Sequence, residues 1–252
     1  FASHVRQLLS LSFLQSHRAT WRSTKGDKKM MRKALLICGI LAALIYVGSD
    51  IVAALRWEGY SYTAQSVSEL RGIGAPTRPF LVPILTIYMV LELAFGLGVW
   101  LAADGKRARR ITGGLLLGLG VIDLVGPFFP MNVGEEVGAL TNTMHIILTG
   151  VTLIFIFSII GFGAFADGKW FRVYSLATLL IVITFGALAG MEGARFAAGQ
   201  PTLRLGVMER INIYGYMLWL MMLAITLLRQ QGTQPQANLG ARPPQAPLPQ
   251  HG

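Results

Sequence analysis

The composition of this 252-residue chain excludes an ordinary soluble domain, because 53% of its residues are hydrophobic and only 13% are charged. Soluble domains carry about a quarter charged residues. The net charge of +10 lies in short segments beside apolar runs, which is typical of a membrane topology signal. A nucleic-acid groove would instead interleave its cations with aromatic residues. We therefore expect an integral membrane protein that binds no nucleic acid.

The two ends of the chain differ from its apolar middle. Residues 1–30 are basic and begin without methionine, and their apolar patch at residues 8–14 is too short to span a bilayer. We interpret them as a disordered or non-native extension, with a transit peptide as the alternative because arginine and serine are frequent there. Residues 230–252 are rich in glutamine and proline and lack apolar periodicity. This composition predicts a disordered cytoplasmic tail.

Six apolar runs predict an all-α fold, a polytopic bundle of six transmembrane helices within residues 31–229. The predicted spans are residues 34–55, 80–103, 111–129, 141–166, 173–191 and 208–228. Lysine and arginine cluster before the first span, between the second and third, and between the fourth and fifth. Because such clusters mark the cytoplasmic side, we predict a multi-pass protein of the plasma (inner) membrane with both termini in the cytoplasm.

Residues 60–79, which we call the lid, form a long polar stretch between the first two spans. Apolar residues recur there every three positions, at Ala64, Val67, Leu70 and Ile73. This spacing predicts a short amphipathic helix in the membrane interface, with the polar residues on its other side. Ser66 and Glu69 have the spacing of a capping box, and glycines and prolines then end the helix. The lid either packs on the helix ends or turns polar side chains inward to line a site.

Ionisable side chains occur within four of the predicted spans, where a charge at the bilayer centre costs about 2.5–3.5 kcal/mol. They are Asp50, Glu92, Asp123 and His145. At about 1.5 Å per residue, Asp50, Asp123 and His145 fall in the outer half of the membrane and Glu92 lies nearer the cytoplasm. Each has a plain structural interpretation. Asp50 would be a helix-end residue whose carboxylate reaches water, and His145 would form a hydrogen bond between helices. Glu92 would be protonated and hydrogen-bonded, and Asp123 would be a structural member of a buried pair.

Together these residues predict an outward-facing polar pocket that the lid roofs. Its candidate ligand-binding residues are Gln65, Ser68, Glu69, Asp123, His145, Glu209 and Arg210. Arg210 or Arg195 would either neutralise a buried aspartate or bind an anionic group, because guanidinium suits phosphate and carboxylate. We expect the other arginines of the predicted external loops to pair with acids. The expected partners are membrane lipid and a small, amphiphilic or anionic ligand.

Two other functions stay open. The chain could be a membrane-embedded, hydrolase-like enzyme, with Asp123, His145 and Glu69 as catalytic candidates that would have to lie within a few ångströms of one another. It could also be an accessory subunit of a membrane complex without chemistry of its own. We expect no cofactor and no metal, because His145 is the only histidine within the predicted spans, Cys38 is the only cysteine, and the chain has no phosphate-binding loop. The oligomeric state is not predicted.

Several motifs resemble those of an uncharacterised membrane family known as domain of unknown function 998. In the lid they are Tyr60-Ser61, Ser66-Val67-Ser68-Glu69-Leu70 and Gly74-Ala75-Pro76. Later in the chain they are Phe129-Pro130, His145 and Gly206-Val207-Met208-Glu209-Arg210. The resemblance covers residues 34–228 and implies a six-helix bundle, without implying an activity. One departure is Met131-Asn132, where relatives often place an aspartate just after the Phe-Pro motif.

Overall fold

The computed structural model describes residues 2–132 and 140–233. Within those residues it contains six α-helices, two 3-10 turns and no strand. The helices are α1 (Ala2–Arg56), α2 (Arg78–Leu101), α3 (Arg107–Val125), α4 (Leu140–Gly163), α5 (Lys169–Ala197) and α6 (Leu205–Thr233). All six contain a stretch long and apolar enough to cross a membrane. The predicted all-α, six-span architecture is therefore confirmed, as expected where backbone groups in lipid must bond within their own helix.

The helices form a closed ring in chain order. Each helix packs against the next one, α6 returns to pack against α1, and both α2 and α4 touch α6 across the ring. Short loops make consecutive helices antiparallel neighbours, and α6 supplies much of the interior. Its Trp219, Leu220 and Leu223 are completely buried, as is Phe95 of α2.

Close helix packing depends on glycines in α2. A Cβ atom at Gly96 would lie 3.0 Å from the Cβ of Leu116, and one at Gly98 would lie 2.9 Å from the Cβ of Leu35. Real Cβ atoms are rarely this close to a neighbour. Helix α2 can therefore pack this closely against α1 and α3 only because positions 96 and 98 carry no side chain.

The lid differs from the predicted amphipathic helix. Before α2 begins at Arg78, only Glu69–Arg71 of the lid is helical, as a single 3-10 turn. A repeat of three agrees with this turn, because a 3-10 helix has three residues per turn. Val67 and Leu70 are buried as predicted, but Ile73 is 46% exposed. Ser66 and Glu69, which we expected on the polar side, are buried as well. The lid is thus packed between helix ends and has no single apolar face.

The first and last helices extend beyond residues 31–229, the predicted transmembrane domain. Residues 2–30 of the predicted extension form the first part of α1. No proline interrupts the helix there. The stretch of α1 that is suited to crossing a membrane is Gly26–Arg56. Helix α6 continues into the predicted tail as far as Thr233. The rest of that tail, residues 234–252, and the loop residues 133–139 lie outside the described part of the chain.

At the end of the bundle opposite the lid, Arg109 of α3 connects its own helix to the ends of α2, α4 and α6. Its side chain is buried and donates hydrogen bonds to the carbonyls of Ala166 (2.8 Å) and Ala102 (3.3 Å) and to the side chain of Gln230. The two carbonyls follow the last turns of α4 and α2, where backbone acceptors lack helical partners. Arg109, which the sequence suggested only as a marker of the cytoplasmic side, therefore also closes this end of the bundle.

Candidate functional site

An ion pair joins the first and last helices beneath the lid. Arg210 of α6 donates to both carboxylate oxygens of Asp50 of α1, at 2.9 and 3.2 Å, and both side chains are only 3% exposed. The Tyr214 hydroxyl donates to the same carboxylate. The prediction that Arg210 neutralises a buried aspartate is therefore confirmed for Asp50.

The same guanidinium holds the lid. It donates to the Tyr62 carbonyl (2.8 Å), the Tyr60 hydroxyl (2.9 Å) and the Gly206 carbonyl (3.3 Å), and it stacks 3.7 Å from the centroid of the Tyr62 ring. With the two bonds to Asp50, all five of its N–H donors are engaged. Burial raises the pKa of Tyr60 to about 12, although its contact with Arg210 acts in the opposite direction. Arg210 in this arrangement has no donor left for a ligand.

The first turns of α6 receive the lid backbone. Glu209 accepts a hydrogen bond from the Val67 amide at 2.7 Å. Gly206 lies directly under the lid, where a Cβ atom would be 2.6 Å from the Tyr62 carbonyl oxygen. The Gly-x-x-Glu-Arg motif of residues 206–210 thus works as a docking element: its glycine permits close approach, and its two charged side chains bind the lid.

The lid is also stabilised from within. Glu69 accepts a hydrogen bond from the Ser66 amide (3.1 Å), and the Ser66 hydroxyl accepts one from the Glu69 amide (3.2 Å), which confirms the predicted capping box. Burial raises the pKa of Glu69, while hydrogen bonds from Ser66 and Gln65 act in the opposite direction. The Gln65 side chain also accepts a bond from the Ser61 amide at 2.7 Å.

His145 connects the lid to α4. Its Nε2 lies 3.2 Å from the Ser68 hydroxyl, and its Nδ1 lies 3.2 Å from the Phe129 carbonyl. Because a carbonyl only accepts, the hydrogen is assigned to Nδ1, and Nε2 then accepts from Ser68. Of the predicted site residues, the structure therefore brings together His145 and Ser68. Both ring nitrogens are thus engaged, Nε2 by the lid and Nδ1 by Phe129, which follows α3.

Asp123 belongs to a different group of residues, deeper in the bundle. Its carboxyl interacts with Glu92 of α2 and Thr152 of α4. Among the residues that the structure describes, no hydrogen bond or ion pair joins it to His145 or Glu69. The three candidate catalytic residues are consequently split between the lid contacts and the bundle interior.

The contact between Glu92 and Asp123 was missed by the depth estimate, which placed these residues in opposite halves of the membrane. Helices α2 and α3 lie side by side with Gly120 level with Leu93, because a Cβ at Gly120 would be 2.6 Å from Leu93 Cδ2. Side chains tilt toward the start of their own helix. Glu92 therefore reaches toward the lid end while Asp123, on an antiparallel helix, reaches back to meet it. Tyr216, which was also missed, donates to Glu92 Oε1 at 3.1 Å.

A small cavity beneath the lid contains a further residue that the sequence did not single out. The cavity is about 10 Å³, roughly enough for one water molecule. Its lining consists of Tyr46, Ser49, Asp50, Val67, Arg71, Leu81 and Leu85. The Arg71 side chain is half-buried and, among the described residues, forms no hydrogen bond or ion pair. The signal that could have identified it is its position directly after the capping box.

The remaining arginines at the lid end behave differently from one another. Arg195 pairs with Glu192 at 3.7 Å, which agrees with the predicted pairing. Arg56 instead lies over the ring of Phe80, 4.5 Å from its centroid, and Arg78 donates to the Arg71 carbonyl at 2.6 Å. Among the described residues, the prediction that each external arginine pairs with an acid is therefore met at Arg210 and Arg195 and not at Arg56, Arg71, Arg78 and Arg204.

Comparisons with known proteins agree with the motifs described above. No curated protein and no solved structure matches the chain. One family model, described as Protein of unknown function (DUF998), matches residues 40–226. That range includes the lid, the docking element of α6, and the residues that form the Asp50–Arg210 and Glu92–Asp123 contacts. The chain is a multi-pass membrane protein and belongs to the family Protein of unknown function (DUF998).

Proposed function

We propose that this protein binds and transports a small or amphiphilic anion, which enters beneath the lid. The lid end would face away from the cytoplasm, as the distribution of lysine and arginine in the loops predicts. The observation that carries the proposal is Arg71, a half-buried guanidinium lining the cavity with no hydrogen bond or ion pair to a described residue.

The two arginines beneath the lid differ in whether their N–H donors are free to bind a ligand. Arg210 uses all five of its donors on Asp50, the lid and its own helix. The charge of Arg71 acts on Asp123, His145 and Glu209 from a distance. A cation that has lost part of its hydration is costly without a bound counter-ion. A phosphate or carboxylate would supply that counter-ion and could accept two parallel hydrogen bonds from the guanidinium.

Ligand entry would require the lid to move, because the cavity has room for about one water molecule. Much of the lid's attachment consists of hydrogen bonds, at Glu209, His145 and Arg210. Hydrogen bonds exchanged for water contribute only about 0.5–1.5 kcal/mol each, so a ligand that replaces some of them could open the lid at modest cost. The structure described here would then be the closed state.

The hydrolase-like alternative has less support. Asp123 and His145 lie in separate groups of contacts, and both nitrogens of His145 are already engaged by Phe129 and Ser68. General acid–base catalysis needs its groups within hydrogen-bond reach of one reacting atom. For the accessory-subunit alternative, no observation on the described residues identifies a partner.

The test is native mass spectrometry of the protein purified in lipid nanodiscs. Wild type is compared with Arg71→Gln and with Arg56→Gln, a matched control because Arg56 is an exposed arginine at the same end of the bundle. We expect anions to be retained by wild type and Arg56→Gln and lost from Arg71→Gln. Identical anions on all three proteins, or none on any, would overturn the proposal.

Two probes distinguish the source of the anionic group. Inorganic phosphate tests a free anion, and short-chain phosphatidic acid tests a lipid headgroup with the same chemistry. Whichever probe binds wild type at Arg71 is then loaded on one side of proteoliposomes, and its appearance on the other side is followed. Binding without movement across the membrane would reduce the proposal to a binding protein and contradict its transport part.

A further inference from the structure

The Glu92 carboxyl stands out among the acidic groups of the bundle. Its side chain is completely buried near the middle of α2, about 21 Å along the helix from Arg78. Oε1 accepts a hydrogen bond from Tyr216, whereas Oε2 has no hydrogen-bond partner among the described residues. A buried polar atom without a partner is rare and costly, about 1–3 kcal/mol or more if charged. The atom therefore needs an explanation.

The polar groups in and around the Glu92–Asp123 pair come from five helices and, among the described residues, include no cation in direct contact. They are Tyr46 of α1, Tyr88 of α2, Asp123 of α3, Thr152 of α4 and Tyr216 of α6. The only cation acting on this group in the described part of the chain is Arg71 of the lid, and its charge acts on Asp123 and Tyr46. Glu92 and Asp123 are thus two interacting carboxyls that share no bound counter-ion.

We propose that the Glu92–Asp123 pair is a proton-binding site inside the membrane-spanning bundle. Glu92 receives the proton in this proposal, because its Oε2 is the buried carboxyl oxygen that has no hydrogen-bond partner among the described residues. A hydronium ion gives its proton to Glu92 Oε2 and leaves as water, and the new O–H group can donate a hydrogen bond to the Asp123 carboxylate with which Glu92 interacts. Uptake changes the charge of the pair from −2 to −1, and release reverses it. A single proton thereby gives Oε2 its missing hydrogen bond and removes the repulsion between the carboxylates.

A proton fits this pair better than a metal ion. Calcium takes six to eight oxygen ligands, and structural or catalytic metals usually have at least three protein ligands. Among the described residues, no group of three or more His, Cys, Asp or Glu side chains converges here or elsewhere. Arg71 would also repel a cation near Asp123. Carboxyls buried in membrane bundles commonly carry protons in this way.

The proposed proton site goes beyond the proposed function and does not depend on it. The anion site is centred on Arg71 beneath the lid, whereas the proton site involves residues of α2 and α3 in the interior. If wild type bound no anion, labelling of Glu92 would still test the proton site, and if Glu92 carried no label, anion binding at Arg71 would still be tested by mass spectrometry. The two proposals can therefore be disproved separately.

The first experiment labels carboxyls in the wild-type protein with an apolar carbodiimide. This reagent reacts only with a carboxyl that carries a proton, and peptide mapping by mass spectrometry identifies the labelled residue. Asp50 is the internal control, because it is also buried but is paired with Arg210. We expect label on Glu92 that decreases several-fold as the pH is raised, and none on Asp50. Absence of label on Glu92 across the pH range in which the protein stays folded would overturn the proposal.

Infrared difference spectroscopy of the protein in nanodiscs provides the second measurement. A protonated carboxyl has a C=O stretching band separate from that of a carboxylate. We expect this band to titrate in wild type and to be lost in Glu92→Gln, and its titration to be displaced in Asp123→Asn. A titrating band that persists unchanged in both variants would assign the proton elsewhere and contradict the proposal. If either variant fails to fold, the labelling of wild type decides the question alone.

Discussion

Asp50 and Arg210 form a buried two-bond ion pair across the seam where the last helix of the ring meets the first. The pair does more than close the ring, because the same guanidinium binds the Tyr62 carbonyl and the Tyr60 hydroxyl of the lid. Ring closure and lid position therefore depend on one side chain.

Loss of either partner of this pair should strongly destabilise the protein. Removing one member of a buried ion pair leaves an uncompensated charge and costs about 3–5 kcal/mol. We expect Asp50→Asn and Arg210→Met each to lower the thermal unfolding temperature in detergent by many degrees. The double variant Asp50→Leu/Arg210→Met should recover part of the loss, because no lone charge remains. Arg195→Gln, which breaks an exposed pair worth about 0–1 kcal/mol, is the control. A single variant as stable as this control would contradict the prediction.

Gly206→Ala should displace the lid without disrupting the helix that carries it. The new Cβ would lie 2.6 Å from the Tyr62 carbonyl oxygen, so the lid backbone must shift. Alanine favours helix by up to about 1 kcal/mol over glycine, which makes the substitution mild elsewhere. Hydrogen–deuterium exchange should show faster exchange of lid amides such as Val67. Gly190→Ala, where a Cβ meets nothing within 4 Å, should leave lid exchange unchanged, and equal effects of both variants would refute the steric explanation.

Acidic pH should stabilise the folded protein through the burial of Glu69. Its pKa in the folded protein is raised by burial, so its contribution to stability is fully present below the ordinary pKa of 4.5 and is lost as the pH rises through the raised value. We expect the stability difference between wild type and Glu69→Gln to fall as the pH rises through that range. The measurement is the unfolding midpoint of both proteins at a series of pH values. Glu58→Gln, at an exposed position of the same end, controls for the lost charge, and a difference that rises with pH would contradict the prediction.

Anion binding and proton binding should be linked through Arg71. Its charge acts on Asp123, and a bound anion would offset that charge, so that the carboxyl pair holds its proton more tightly. By reciprocity, the anion should bind more tightly at lower pH. Calorimetry of the identified anion in two buffers of different ionisation enthalpy should report uptake of a fraction of one proton, and Glu92→Gln should abolish it. Proton uptake of the same size in Glu92→Gln would show that another group is responsible.

The bundle itself could be predicted from the sequence because each span is specified locally. An apolar run of about 20 residues must become a helix in lipid, whatever its neighbours are, and the six runs do so at nearly the predicted positions. The capping box of Ser66 and Glu69 was predictable for the same reason, since both partners lie within one turn. The extent of the lid helix was not, because glycine, proline and contacts with other helices limited it to Glu69–Arg71.

Only the tertiary structure decided which ionisable side chains of the membrane spans face one another. The sequence identified Asp50, Glu92, Asp123 and His145 as residues that need partners, because burying them in lipid is expensive wherever the helices lie. Their partners come from helices far apart in the chain, so rotation and relative height of each helix decide the pairing. The packing of the helices brings Arg210 to Asp50, Ser68 to His145 and Glu92 to Asp123. It also leaves Arg71 lining the cavity. Composition determined that this is a membrane bundle; the packing of its six helices determined where its chemistry can occur.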